Sequence, residues 1–169
     1  MSKVSPFYLE KTRSNLVTMR LLWKLLDDKD SRERLSVPAW YDPSEWVAIC
    51  GYYAMYLAAA AILARVNYRS SSHTATIAAL EELFVKKNML EPHYLKMLEQ
   101  AHLERKWVEH LVVARKYREI AQYSAQRTTS REIAHIQTKN ADAFVQRLEV
   151  LLDLLNNASV EVYRGDLNG

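Results

Sequence analysis

Cysteine occurs once in these 169 residues, glycine three times and proline four times. A lone Cys50 excludes an internal disulfide framework and a cysteine-based zinc site. So few turn residues cannot punctuate many short strands, so the chain must be built from a few long helices. Long hydrophobic runs are missing too. The longest, Met55–Ala64, is about ten residues, against the roughly 20 that a bilayer demands, so no membrane segment is expected. Met1–Glu10 lacks the apolar core of a signal peptide, and a cytoplasmic protein is the expectation. Neither sign of charge dominates: 23 basic against 20 acidic residues leave a net +3. What is present is apolar material, 49% of the chain, too much for a disordered polymer and suited to one domain.

The hydrophobic spacing predicts five helices. Leu9, Leu16, Met19, Trp23 and Leu26 line one face of a first helix over 6–28, with a loop to Tyr41. Asp42-Pro43-Ser44-Glu45 sets an N-cap, a first-turn proline and a capping glutamate in order, and starts a second helix that runs to about Val66. Its centre, Gly51 to Leu63, carries almost no charge, so it is expected to be buried on most sides. Ser71 or Ser72 caps a third helix to about Lys87, with Asn88 as its stop. A fourth, from Pro92 to about Ser124, has no internal Pro or Gly over roughly 33 residues, about 50 Å at helical rise. Thr129-Ser130-Arg131-Glu132 reads as a capping box for a fifth, to Leu155, with Ile133, Ile136, Phe144, Leu148, Leu151 and Leu155 facing in. The expected fold is all-α, an antiparallel bundle of four to five helices over 1–155, followed by a polar tail, 156–169.

The fourth helix carries two apolar rows, each interrupted once. Arg105 breaks the row of Leu98, Ala101, Val108 and Val112. His110 breaks the row of Leu103, Trp107, Ala114, Tyr117 and Ala121. Two rows suggest burial on two sides, one in the core and one against a partner copy. An inward arginine needs a partner or a phosphate to offset its desolvation. From Arg105 to Arg131 seven basic residues face only Glu109 and Glu119, a net +5 in a chain of net +3. With Tyr117 and Tyr123 among them, such a stripe suits a phosphate backbone and stacked bases, and it suits a solvated helix face equally well. Glu99-x-x-His102 and Glu132-x-x-His135 have the spacing of di-iron ligands. On consecutive antiparallel helices they fall roughly 35 Å apart, so no metal and no cofactor is expected. His73 reads as a first-turn residue, His93 has no distinguishing context, and Cys50 reads as a small core residue.

The run Tyr41-Asp-Pro-Ser-Glu-Trp-Val-Ala-Ile-Cys-Gly-Tyr-Tyr-Ala-Met-Tyr56 resembles the second-helix signature of small prokaryotic HEPN (higher eukaryote and prokaryote nucleotide-binding) proteins. Ser72-His73 and Leu83-Phe84-Val85-Lys86 follow in the family's register. Ungapped counting then puts Arg105 at the family's functional arginine. The resemblance spans Asp42 to His110. It implies a dimeric, metal-independent ribonuclease with an Arg-x(4–6)-His motif, here Arg105-x4-His110. Many such proteins are toxins restrained by a minimal nucleotidyltransferase antitoxin. On that basis Arg105 and His110 are the expected catalytic pair, while the basic stripe makes Lys106, Arg115, Lys116 and Arg118 the expected RNA-phosphate ligands. The expected partners are RNA, a second copy of the chain and a nucleotidyltransferase. The alternative is a non-catalytic dimeric scaffold or nucleotide-binding partner protein, and on structural grounds alone Arg105 could pair with Glu109 and His110 could be an interface histidine.

Overall fold

The computed structural model describes the backbone of residues 4–118 and 127–157, and the side chains of residues 6–106 and 131–157. Among these residues the chain is helical without strands. Its elements are α1 (Val4–Asp27), α2 (Lys29–Arg34), α3 (Ser44–Arg65), α4 (His73–Leu80), α5 (Pro92–Arg118) and α6 (Arg127–Asn157). The all-α bundle expected from the sequence is the fold observed. Four long helices form it, and α4 lies across α3 and α5.

The central element is α3, which packs on α1, α5 and α6. Its sequence explains this position. Ala54, Ala58, Ala59 and Ala61 are all buried and bring neighbouring backbones close, while Val47, Met55, Ile62 and Leu63 fill the space between. Among the described residues α3 alone is long and apolar enough to cross a bilayer, although its longest uninterrupted apolar run is only about ten residues. However, 67% of its apolar window is buried inside the bundle. Phe84 and Phe144 are fully buried beside it, and each contributes about 1.5–3 kcal/mol by leaving water.

Three local expectations need correction. The stretch after α1 contains a short helix, α2, which Asp28 caps by accepting from the Asp30 N–H. Arg32 then ties the loop down, donating to the carbonyls of Leu25, Pro38 and Tyr41 at 2.9–3.0 Å. On α6, Ile136 is 46% exposed and Gln137 is buried. The inward row is Ala134, Gln137, Ala141, Phe144, Leu148, Leu151 and Leu155, at i, i+3 and i+4 spacings. The choice of Ile136 by hydrophobicity alone placed the upper turns one residue out of phase. α6 is also already helical at Arg127, so the proposed capping box at Thr129–Glu132 lies within it.

The start of α4 is as expected. Ser72 Oγ accepts from the Ala75 N–H at 3.1 Å. The helix then widens into a π-helical turn, Glu81–Val85, where the Lys86 N–H reaches the Glu81 carbonyl. It stops at Asn88, whose φ of 57° is left-handed, a conformation asparagine tolerates. Arg147 of α6 fixes the following turn through the Met89 carbonyl and Glu91.

Candidate functional site

Three helices bring aromatic and basic side chains together on one side of α5. Tyr52 and Tyr56 are one turn apart on α3. His73 is the first residue of α4 because Ser72 caps it. His102 and Arg105 are three apart on α5, hence on one face. The His73 and His102 rings stack face to face, with centroids 3.7 Å apart and planes 10° from parallel. Buried Tyr52 lies 5.9 Å from the first ring and 5.5 Å from the second. Its hydroxyl is 3.5 Å from His73 Nδ1. Tyr56 stacks more distantly on His73, at 6.5 Å. Both imidazoles are half-buried, so the rings are reachable from solvent.

Arg105 closes the cluster. Its guanidinium carbon sits 4.8 Å from the Tyr52 ring centroid and 5.8 Å from that of Tyr53. Its Nη1 lies 3.4 Å from the Tyr53 hydroxyl, at the long end for a hydrogen bond. A cation over an aromatic face contributes about 0.5–2 kcal/mol, more as the pair loses water. The arginine that breaks the apolar row is therefore accommodated by tyrosine faces. Lys106 follows it and is exposed.

The electrostatics are one-sided. Burial pushes the His73 imidazole down from 6.5 to about 4, and the positive charges of His102, Lys106 and Arg105 push in the same direction. The positive end of the α4 dipole adds to this, since His73 occupies its first turn. Two imidazolium charges at this spacing would repel by about 4 kcal/mol at a near-surface dielectric. A second proton on the stack is therefore disfavoured, and at neutral pH His73, with its value at about 4, is a neutral imidazole.

The opposite side of α5 has a different chemistry. Buried Glu104 accepts from Gln100 Nε2 at 2.9 Å and from Nε2 of fully buried Gln137. This carboxylate–carboxamide bridge joins α5 to α6. It fixes the rotation of α5, and with it the direction of His102 and Arg105.

Of the residues expected from the sequence, the structure places Arg105 in this cluster and Lys106 at its rim. The backbone of α5 continues through His110, Arg115, Lys116 and Arg118, but their side chains lie outside the described residues, as does that of Glu109. Sequence reasoning passed over Tyr52, Tyr56 and His102 as members of a site. It gave His73 only the first-turn position, which that residue indeed holds. The spacings Tyr52-x3-Tyr56 and His102-x2-Arg105 could have flagged two shared faces. The meeting of those faces depends on helix register across the bundle. His135 of the other Glu-x-x-His spacing packs elsewhere, its ring centroid 5.2 Å from that of Trp23 on α1.

A model of the HEPN domain matches residues 41–151, well over half of the chain. That span begins just before α3 and includes every member of the cluster. Searches of curated proteins and of solved structures gave no match.

Proposed function

The chain belongs to the HEPN family, and on that premise we propose that it is a metal-independent endoribonuclease acting by transesterification. The observation that carries this reading is the station of Arg105, a guanidinium held on tyrosine faces at a half-open surface and beside an imidazole pair. A guanidinium there can take the charge that develops on the non-bridging phosphoryl oxygens. In the reaction the RNA 2′-oxygen attacks the adjacent phosphorus and the bond to the 5′-oxygen breaks. A 2′,3′-cyclic phosphate is left. The 2′-hydroxyl proton passes to an imidazole, and the departing 5′-oxygen receives a proton from a second donor. His110 is the proposed acid–base residue.

α5 is helical through both motif positions, and a five-residue step turns about 140° around its axis. Arg105 and His110 therefore mark different faces. A homodimer joined along the face of Leu103 and Trp107 would let one copy's histidine complement the other's arginine. Leu103 is 60% exposed, as such a face requires. Lys106, Arg115, Lys116 and Arg118 would track the RNA backbone. The proposed physiological setting is that of a toxin held in check by a minimal nucleotidyltransferase.

The test is incubation of the purified full chain with total RNA in EDTA, beside His110→Ala and Arg105→Ala. The expected products end in a 2′,3′-cyclic phosphate or its opened form. Equal cutting by wild type and His110→Ala would identify a contaminant. It would favour the non-catalytic scaffold.

A further inference from the structure

The His73–His102 stack is not explained by an arginine–histidine pair spaced along α5. Its two rings come from different helices and meet face to face at 3.7 Å. Packing alone would be served by two apolar rings. Imidazoles keep ring nitrogens that exchange protons, and this pair is half-open to solvent beside Arg105 and exposed Lys106.

We propose that the stack, with Arg105 and Lys106, is a receptor for a phosphate oxyanion, and that it takes up one proton from solvent as the anion docks. The proposal rests on the reading of Arg105 as a phosphate ligand and extends it to His73 and His102. The named charges acting on His73 are positive and come from α5: His102, Lys106 and Arg105. α4 itself, His73–Leu80, carries no other charged side chain. From α3 the facing groups are the phenol rings of Tyr52 and Tyr56. An anion bound among these groups offsets the positive charges that add to burial in keeping His73 neutral. The imidazole then gains basicity at the moment a phosphate arrives, and by linkage the anion binds more tightly as the pH falls. Repulsion between the rings disfavours a second proton at this spacing, so uptake of one is expected. In an RNA complex this provides a proton acceptor that is active only beside a bound phosphate.

Sulfate is the probe, because its charge is constant over the working pH range. Histidine Cε1–H resonances of the full-length wild-type chain are followed from pH 3.5 to 8, in chloride and in saturating sulfate at matched ionic strength. His73→Gln and His102→Gln provide the assignments. The expected result is a rise of about two pH units in the stack's midpoint on sulfate binding. That corresponds to about tenfold tighter binding at pH 5 than at pH 7.5. In Arg105→Gln the rise should fall below half a unit. In the double variant His73→Gln/His102→Gln, affinity should vary less than twofold with pH. Midpoints that sulfate leaves unmoved in the wild-type chain would overturn the proposal, whatever the variants do. So would an equal rise in Arg105→Gln, which would reveal only a general salt effect. Wild-type protein that shows the sulfate-linked rise but cuts no RNA removes the ribonuclease and leaves this site. Cutting with silent histidines removes this site alone.

Discussion

Glu104 and Arg105 are neighbours in sequence and opposites in circumstance. Glu104 enters the bundle and meets two amide donors, one on its own helix and one on α6. Arg105 turns toward α3 and α4 and joins two imidazoles and a second cation, Lys106, with no carboxylate named among the charges that act on His73. The first side has donors matched to an acceptor, which is how a folded core tolerates a carboxylate. The second gathers cations around half-open rings, a costly arrangement for stability alone. It becomes useful when an anion arrives. The contrast separates the polar group that holds α5 in place from the polar groups that α5 presents.

The sharpest way to break this contrast is to remove its structural half. Glu104→Ala strands the Gln137 amide in the core and should cost about 3 kcal/mol in urea unfolding. A loss below about 1 kcal/mol would place Glu104 outside the structural half. Arg105→Ala should do the reverse. Single-turnover RNA cleavage at saturating protein should fall about 100-fold, near 2.7 kcal/mol in the barrier. Unfolding free energy should change by no more than about 1 kcal/mol, the scale of a lost cation–π contact. If only affinity drops while the bound rate survives, Arg105 positions RNA and does no chemistry.

His73 supplies a pH test. Its folded value of about 4 lies below the ordinary 6.5, so between those values the unfolded chain binds more protons than the folded one. Stability should therefore fall as the pH drops from about 6.5 toward 4, and His73→Gln should flatten that slope. Because the ring is partly solvated, the effect should be about 1 kcal/mol. A wild-type profile unchanged by His73→Gln would mean that another group titrates there.

Smaller still is the expected effect of neutralising Arg115, Lys116 and Arg118 together on a per-contact basis. RNA binding should weaken, and each lost phosphate contact should flatten the log–log salt slope by roughly 0.7. An unchanged slope would make the stripe a solvated face. The smallest effect belongs to the surface pair Arg13–Glu149, where the arginine side chain is 67% exposed. Arg13→Ala should move stability by less than about 0.5 kcal/mol.

Much of the bundle was readable because helices declare themselves locally. Ser72 as a cap and Asn88 as a stop depend on backbone chemistry within a turn, and both stand in the structure. α2 was passed over because its six residues are too short and too charged to show an apolar period. Ile136 was put inside and Gln137 left out because hydrophobicity ranks isoleucine above glutamine. In the bundle the Gln137 Nε2 donates to Glu104, a partner 33 residues away that no local window includes.

The amino-acid sequence by itself determined that this chain is helical, where most of its helices begin and stop, that α3 lies at the centre, and that Arg105 stands where an apolar residue is due. Each of these follows from interactions within a few turns, or from the ratio of apolar to charged residues on one helix. Only the tertiary structure decided that His73 stacks on His102, that Tyr52 and Tyr53 carry the guanidinium, and that Glu104 and Arg105 part company. Those outcomes depend on the rotation and register of α3, α4 and α5 against one another. Packing across the whole core sets that register, and no single helix encodes it.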